Sequence, residues 1–359
     1  MSVQNNLKYA IKKLVTRTDL STIEICQAFD AILAGMIPDA SIAAFLVALT
    51  MKGETADELR SILDSVRNHA TRITPQVREP LIDTCGTGGD SIRTFNVSTA
   101  AAIVASAAGA NVAKHGNSSM SGICGSADFF EYIGLDINAP PAKVQSCIEH
   151  IGIGFLFAPL FHPSMKNVAS VRKAIGIRTA FNKVGPLSNP CTNIAGQLIG
   201  VFETELMEVF CEVCKGYIDQ AMIVHARDGF DELSNTCKNY IHWISSDNHR
   251  TTKIVLHPNE VGLELAKPEQ LIVNSKGDSV RYTLETIYGK ASKEKHGIVV
   301  LNAAAALLLS KSASSFKEGI QTANETIKTG KAQDKLSELI KYCGDLERLK
   351  EVEKEFSLV

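Results

Sequence analysis

A glycine-rich loop at residues 85–90, with the sequence CGTGGD, is the first feature of the chain that could do chemistry. Glycine lets the backbone approach a ligand closely and turn successive N–H groups inward, so that they form a nest for an anion. The loop precedes a helix that we expect to begin near Ser98, and the positive end of that helix would point at the same place. The arrangement predicts a phosphate-binding loop, although its sequence is neither a Walker P-loop nor a GxGxxG dinucleotide fingerprint.

Polar side chains at the start of that helix strengthen the prediction. Asn96, Ser98 and Thr99 lie close together there and would face the same anion. A glycine cluster alone is also typical of a tight turn, and Ser98 could serve only as the N-cap of the helix. The combination of loop and polar helix start favours phosphate binding.

A lysine lies near the carboxyl end of the next expected strand, 111–114. Lys114 opens the sequence KHGN, which leads into a second stretch of small residues, SSMSGICGSAD. Because a buried ammonium group is costly without an anionic partner, Lys114 predicts a phosphate contact. His115 alone is more typical of a core histidine than of a catalytic base.

Three carboxylates follow a further expected strand. Asp228, Asp231 and Glu232 belong to the sequence DGFDE. Mg²⁺ in proteins is held by one or two carboxylates together with substrate phosphates and several waters. Alone, an acidic turn would be interpreted as a solvated loop. Beside the glycine loop and Lys114, it predicts a Mg²⁺–diphosphate site.

Composition excludes several classes of protein. The chain has 359 residues, of which 45% are hydrophobic and 21% charged, and this length predicts about two domains. Its 37 basic and 39 acidic residues give a net charge of −2, which argues against an electrostatic nucleic-acid binder. Nine scattered cysteines suit reduced thiols, and we interpret Cys211 and Cys214 as buried helix positions rather than zinc ligands.

The apolar runs are too short to cross a membrane. The lowest-polarity stretches, 100–113 and 299–309, fall short of a span of roughly 20 residues. The first residues, MSVQNNLKYAIKKL, are amphipathic and lack the apolar core of a signal peptide. We therefore expect a cytoplasmic protein.

The elements that must position these residues fall into two groups. The first seventy residues predict four helices, the second of which opens with a capping box at Ser21 and Glu24. After a proline-containing connector, the order strand, glycine loop, helix and strand predicts a βαβ unit. Further strand-like apolar runs are 197–202, 220–225, 253–256 and 297–300, and another helix is expected at about 164–175. The predicted fold class is α/β, with a small all-helical domain and a large α/β domain that has a mostly parallel central sheet.

Several long motifs resemble those of the anthranilate phosphoribosyltransferase family, in the same order and over nearly the whole chain. They are GTGGD at 86–90, TFNVST at 94–99, KHGN at 114–117, GSAD at 125–128, GFLFAPLFHPSMKNVASVRKAIGIRTAFNKVGPLSNP at 154–190, DGFDE at 228–232 and LNAAAALLL at 301–309. The resemblance implies Mg²⁺-dependent transfer of a phosphoribosyl group from phosphoribosyl pyrophosphate to the amine of anthranilate, the second step of tryptophan biosynthesis. It also implies a homodimer that associates through the helical domain.

The resemblance also implies domain boundaries and site residues. The helical domain would comprise 1–74 and 164–192, and the α/β domain 80–163 and 193–359, with hinges near 75–80 and 190–195. Phosphoribosyl pyrophosphate would contact Gly86, Gly89, Asp90, Thr94, Asn96, Val97, Ser98, Thr99, Lys114, His115, Gly116, Asn117 and Ser126. Anthranilate would contact Gly86, Asn117, His162 and Arg172, and the Mg²⁺ ligands would be Ser98, Asp231 and Glu232. The planar guanidinium of Arg172 suits the carboxylate of anthranilate. No general acid or base is implied.

Two other functions remain as alternatives. A pyrimidine nucleoside phosphorylase-like enzyme would use phosphate and a nucleoside, but the DGFDE and VRKAIGIRT segments favour the transferase. A non-catalytic nucleic-acid-binding paralogue is suggested only by Ser118, which stands where the family usually has arginine after KHGN. The net charge and the intact acidic pair argue against it. The expected partners are therefore two small substrates, with no nucleic acid and no membrane.

Overall fold

The chain forms two compact units in a computed structural model that describes residues 3–88, 93–119, 123–245 and 250–359. The first unit comprises Met1–Arg72 and Ala158–Pro190, and the second comprises Ile73–Phe157 and Cys191–Val359. The first unit is helical and the second is α/β. The expected fold class is thereby confirmed, while the domain boundaries and hinges implied by the resemblance remain predictions.

The described elements, in chain order, are sixteen α-helices and seven strands. They are α1 (Val3–Val15), α2 (Thr22–Leu33), α3 (Asp39–Lys52), α4 (Ala56–Asn68), β1 (Leu81–Gly86), α5 (Val97–Ala107), β2 (Asn111–Gly116), α6 (Ser126–Tyr132), α7 (Pro141–Ile151), β3 (Ile153–Phe157), α8 (Ala158–Phe161), α9 (Lys166–Ile175), α10 (Ala180–Val184), β4 (Ile194–Gly200), α11 (Glu205–Cys214), β5 (Gln220–Ala226), β6 (Asn239–Ile244), β7 (Thr251–Leu256), α12 (Lys276–Ile287), α13 (Lys293–Leu309), α14 (Phe316–Lys328), α15 (Lys331–Cys343) and α16 (Leu346–Glu355). Short 3₁₀ turns lie at Pro163–Met165, Pro258–Val261 and Pro268–Gln270.

The helical unit begins with the four predicted helices. The capping box that opens α2 is present: Ser21 accepts a hydrogen bond from the Glu24 N–H, and the Glu24 carboxylate accepts one from the Ser21 N–H at 2.8 Å. Such reciprocal bonds satisfy N–H groups that have no partner within the helix. The rings of Phe29, Phe45 and Phe181 meet edge to face and join α2, α3 and α10 in one core.

The α/β unit contains one seven-stranded sheet with the order β3-β2-β1-β4-β5-β6-β7. The first five strands in this order are parallel, and β6 and β7 are antiparallel additions at one edge. Since β2 lies on one side of β1 and β4 on the other, the order of the strands reverses at β1 and β4. In open α/β sheets, ligands bind outside the carboxyl ends of the strands at such a switch point.

A long buried helix corrects one prediction from the sequence. The apolar run 297–300, expected to be strand-like, lies inside α13, which is buried at thirteen of its seventeen positions. A helix that is surrounded by protein on all sides is apolar all round, so it loses the periodicity that separates helix from strand.

In the described part of the chain, no helix combines the length and the apolar character needed to cross a membrane.

Cys211 and Cys214 are both buried on α11, which confirms their interpretation as helix positions in the core.

Candidate active site

The predicted phosphate and metal residues of the α/β unit gather at one edge of the sheet. The glycine loop follows β1, Lys114 lies near the end of β2, and the DGFDE segment follows β5. Because these strands belong to the parallel part of the sheet, their carboxyl ends share that edge. The edge is the one at which the switch between β1 and β4 predicts a ligand.

Two acidic side chains bind the backbone of the glycine loop and of α5. Asp231 Oδ2 accepts a hydrogen bond from the Gly88 N–H at 2.6 Å, and Glu232 Oε1 accepts one from the Ser98 N–H at 3.2 Å. Ser98 is the second residue of α5, where the helix dipole favours negative charge. The structure thus brings together the three predicted Mg²⁺ ligands.

The third carboxylate of the acidic segment has a different role. Asp228 Oδ2 accepts hydrogen bonds from Ser234 Oγ at 3.3 Å and from Thr236 Oγ1. These bonds hold the turn after β5, so Asp228 is not grouped with Asp231 and Glu232.

Lys114 is buried beneath the glycine loop with 2% of its surface exposed. Its Nζ donates to the Thr84 carbonyl at 2.8 Å and lies 3.4 Å from Ser98 Oγ. Burial lowers the pKa of Lys114, and the nearby carboxyl groups of Asp83 and Glu232 oppose that shift. Lys114 therefore brings an ammonium group to the start of α5, beside the acidic pair.

Two glycines leave room for the acidic segment. A β-carbon on Gly86 would lie 2.5 Å from Asp231 Oδ2, and one on Gly200 would overlap the Asp231 carbonyl. Gly86 and Gly200 are paired across β1 and β4. Asp231 can approach the strand ends only because both positions lack a side chain.

The start of α5 differs from the sequence-based prediction in its N-cap and in the positions of its polar side chains. Asn96, not Ser98, occupies the N-cap, and the Asn96 side chain donates to Ser279 Oγ at 3.2 Å instead of capping the helix. The Val97 side chain is fully buried in the core, and the Val97 N–H donates to the Phe95 carbonyl. Thr99 is also buried and Thr94 forms an isolated bridge with Ile272.

The predicted contact residues Gly116, Asn117 and Ser126 lie where the end of β2 meets the start of α6. Ser126 Oγ donates to the Asn117 carbonyl at 3.4 Å, and a β-carbon on Gly116 would overlap Ser126 Oγ. Asp128 Oδ2 accepts from the N–H groups of Ser119 and Gly125. The start of α6 thus packs against the end of β2, where His115 is buried. Gly89 and Asp90, also predicted to bind phosphoribosyl pyrophosphate, lie outside the described residues.

Two predicted anthranilate contacts, Arg172 and His162, belong to the helical unit. The Arg172 guanidinium carbon lies 5.5 Å from the centre of the Phe181 ring, and burial lowers the pKa of Arg172. Burial also lowers the pKa of His162 to about 4; a hydrogen bond with the Ser188 backbone opposes that shift and the charge of Arg67 adds to it. His162 is therefore neutral near pH 7.

The donor set fits one kind of metal ion. Within the described residues, no group of three or more histidine, cysteine, aspartate and glutamate side chains is arranged to hold a metal by itself. Ser98, Asp231 and Glu232 offer oxygen donors only, and two of them are carboxylates. This set suits Mg²⁺ that completes its shell with phosphate oxygens and water.

Two buried polar residues of the sheet were missed by the sequence analysis. Asp83 on β1 is fully buried and accepts a hydrogen bond from the His115 N–H at 3.2 Å, and Gln197 on β4 donates to it at 3.3 Å. The sequence does contain a sign of them, because each is a polar residue inside an apolar strand segment, LIDT for Asp83 and GQLIG for Gln197. A buried carboxylate in a central strand is costly unless its partners stabilise it.

Comparison with known proteins defines first the class of the protein. A profile of the α/β domain of a glycosyl transferase family matches residues 78–333, and a profile of the helical bundle domain of that family matches residues 8–70. The chain is thus a glycosyltransferase in which the helical bundle precedes the α/β domain.

Individual relatives define the family more narrowly. The anthranilate phosphoribosyltransferase of Acetivibrio thermocellus is 44% identical over 337 residues, which cover 94% of this chain and 96% of the relative. The structure of the Thermus thermophilus enzyme of that name has a TM-score of 0.85 and 35% identity, and the match covers 93% of this chain and 99% of that one. The Saccharomyces cerevisiae enzyme in complex with PRPP (phosphoribosyl pyrophosphate) and Mg has a TM-score of 0.85 and 27% identity, with 94% and 98% covered.

The chain belongs to the anthranilate phosphoribosyltransferase family. The resemblance and the enzyme class expected from the sequence motifs are thereby confirmed, and the connection with tryptophan biosynthesis follows from the family. The phosphorylase and nucleic-acid-binding alternatives are not needed to explain the motifs.

Proposed function

We propose that the protein transfers the phosphoribosyl group of phosphoribosyl pyrophosphate to the amine of anthranilate with the help of Mg²⁺, as the second step of tryptophan biosynthesis. The observation that carries the proposal is the meeting of the glycine loop, Lys114 and the acidic pair at one edge of the sheet. The yeast neighbour solved with PRPP and Mg supports the same choice of donor and metal.

The diphosphate of the donor is assigned to the glycine loop and the start of α5. Inward-facing backbone N–H groups and the positive end of a helix stabilise phosphate without a further charge. Lys114 adds a cation, and Gly89 and Asp90 remain part of the proposal. Ser98, Asp231 and Glu232 would hold the Mg²⁺, which when bound neutralises charge on the departing pyrophosphate.

Anthranilate is assigned to the four residues that the sequence resemblance implies. Arg172 would bind its carboxylate, because a guanidinium pairs with a carboxylate through two parallel hydrogen bonds. His162, Gly86 and Asn117 are the other proposed contacts. The low pKa of His162 means that it would present a neutral ring to an aromatic acceptor.

The transfer is a substitution at the anomeric carbon of ribose. The nitrogen of anthranilate forms a bond with that carbon, the bond from carbon to the pyrophosphate oxygen breaks, and the amine loses a proton. An aryl amine is neutral near pH 7 and already nucleophilic, so the proposal needs no protein nucleophile and assigns no general base. The residues of the site contribute binding, orientation and charge stabilisation.

The decisive experiment mixes the purified protein with phosphoribosyl pyrophosphate, Mg²⁺ and anthranilate. We expect the fluorescence of anthranilate to fall, with equimolar release of pyrophosphate, and no change when the donor is omitted or Mg²⁺ is chelated. Unchanged fluorescence in the complete mixture would contradict the proposal. Phosphorolysis of a pyrimidine nucleoside by the same sample would instead support the phosphorylase alternative.

The proposal includes a homodimer formed through the helical unit, a cytoplasmic location, and hinge motion near 75–80 and 190–195.

A further inference from the structure

The central strands β1 and β2 are paired over only part of their length. In these two strands, which are described in full, the register joins Leu81 to Asn111 and Ile82 to Val112 and ends there. The pairing of β1 with β4 on its other side continues to Gly86 and Gly200. Beyond these pairs, β1 and β2 are also joined by bonds from the side chains of one strand to the backbone of the other.

Two charged side chains make these bonds. The Asp83 carboxylate on β1 accepts a hydrogen bond from the His115 N–H on β2 at 3.2 Å. In the opposite direction, Lys114 Nζ on β2 donates to the Thr84 carbonyl on β1 at 2.8 Å. Each strand thus uses a charged side chain to bond the backbone of the other, directly below the proposed diphosphate site.

Both charges are buried. Asp83 has 0% of its surface exposed and Lys114 has 2%. A single buried charge is strongly unfavourable, whereas opposite buried charges attract each other more strongly than they would in water. Gln197 on β4 donates to Asp83 Oδ2 at 3.3 Å and so fixes the carboxylate from the other side. The His115 N–H and the Gln197 side chain thus hold the Asp83 carboxylate in place between β2 and β4, at the residue next to Lys114.

We propose that Asp83 is a positioning residue for Lys114. By binding the β2 backbone at the residue after Lys114 and by supplying the opposite charge, it holds the ammonium group against Ser98, where the phosphoribosyl donor is proposed to bind. The inference rests on the proposed function, because it assumes that Lys114 contacts the donor. Asp83 itself has no exposed surface, and the proposal gives it no contact with substrate.

The first test is Asp83→Asn, which removes the charge and keeps the size and one acceptor oxygen for the His115 N–H. We expect the KM for phosphoribosyl pyrophosphate to rise about tenfold or more, as for the loss of a buried charge partner, and the KM for anthranilate to change less than about twofold. An unchanged KM for the donor, or an equal rise in both KM values, would overturn the proposal.

A matched control separates positioning from general loss of stability. Gln220 is also buried in the sheet, at the opposite end of the strands, and its side chain donates to the Leu309 carbonyl. Gln220→Leu removes a buried polar contact far from the proposed site. We expect it to lower the thermal midpoint as much as Asp83→Asn does and to leave both KM values unchanged.

A double-mutant cycle tests whether Asp83 acts through Lys114. The affinity for phosphoribosyl pyrophosphate with Mg²⁺ is measured by calorimetry for the wild type, Asp83→Asn, Lys114→Met and the double variant. We expect Asp83→Asn to weaken binding about tenfold in the wild type and less than about twofold in the Lys114→Met background, since only coupled residues depart from additivity. Equal weakening in both backgrounds would overturn the proposal. If Lys114→Met does not fold, the KM comparison above decides.

Failure of the proposed function would look different. A wild-type protein that binds the donor without transferring it to anthranilate would contradict the acceptor, while the cycle would still measure the role of Asp83. A wild-type protein that does not bind the donor would refute both.

Discussion

The three carboxylates of the DGFDE segment have different hydrogen-bond partners, although the sequence alone does not distinguish them. Asp231 and Glu232 bind the N–H groups of Gly88 and Ser98, whereas Asp228 binds the hydroxyls of Ser234 and Thr236. The first two are therefore assigned to the metal and the third to the turn.

The double variant Asp231→Asn with Glu232→Gln should lose turnover by about 100-fold or more at millimolar Mg²⁺, because the charged metal ligands are removed. The fold should persist, since both amides retain an oxygen that can accept the bonds from Gly88 and Ser98. Steady-state kinetics over a range of Mg²⁺ concentrations measure the effect. Asp228→Asn is the matched control and should stay within about threefold of wild type. Normal kinetics in the double variant would remove the acidic pair from the site.

Arg172 gives a prediction about the acceptor. Arg172→Ala should raise the KM for anthranilate about tenfold or more and leave the KM for phosphoribosyl pyrophosphate nearly unchanged, because only the carboxylate contact is lost. The neighbouring exposed residue serves as control through Lys173→Ala, which changes the charge of α9 equally. An equal rise in both KM values after Arg172→Ala would contradict its assignment to anthranilate.

Secondary-structure elements were predictable where local signals were strong. Capping boxes at Ser21 and Thr55 open α2 and α4, and β1, β2, β4 and β5 appear as short apolar runs beside turns. β3 and β6 were missed because one contains Gly154 and the other mixes polar residues into its pattern. The run at 297–300 was assigned the wrong type because the sequence around it is apolar without a break.

The motifs of the candidate site were predictable from the sequence, but the buried residues of the sheet beneath them were not. The glycine loop, Lys114 and the acidic pair carry chemistry that residue types reveal. Asp83 and Gln197 become meaningful only when the register of β1 with β2 and β4 is known. Sequence alone gives no distance between residues so far apart in the chain.

The short segment between α8 and α9 gives a prediction about pH. The pKa of His162 is lowered to about 4 from an ordinary 6.5, chiefly by burial. Between these two pH values the unfolded chain binds more protons at this histidine than the folded chain does. The contribution of His162 to the free energy of unfolding is therefore fully present above pH 6.5 and decreases as the pH falls towards 4. The loss over this window is about 3 kcal/mol.

His162→Gln should therefore reduce the pH dependence of stability between pH 6.5 and 4, whatever its effect at neutral pH. Urea unfolding at a series of pH values measures the slope. Identical slopes for wild type and His162→Gln would show that this histidine does not couple to folding.

The distribution of exposed apolar side chains over the whole molecule favours association through the helical unit. Among the described residues, ten large hydrophobic side chains are exposed, and six of them belong to that unit, which has less than a third of the chain. The six are Tyr9, Val15, Ile23, Met36, Met51 and Ile177. Exposed apolar surface of this kind is typical of interfaces between proteins when the side chains are contiguous.

We therefore expect the wild type to sediment at twice the chain mass of 38.8 kDa. The variant Ile23→Lys with Met51→Lys should sediment as a monomer, because two charges would be buried in the interface. Val255→Lys, which places a charge on the exposed edge strand of the α/β unit, should remain a dimer. A monomeric wild type, or dissociation by Val255→Lys alone, would contradict association through the helices.

The close fit between Gly200 and the main chain of Asp231 has a genetic consequence. Residue 200 offers no reacting group, yet even a methyl group there would displace the segment that bears the proposed metal ligands. In a library of all single substitutions selected for growth without tryptophan, this position would tolerate no replacement and would score like a catalytic one. Intolerance to mutation at this edge of the sheet thus measures space as well as chemistry.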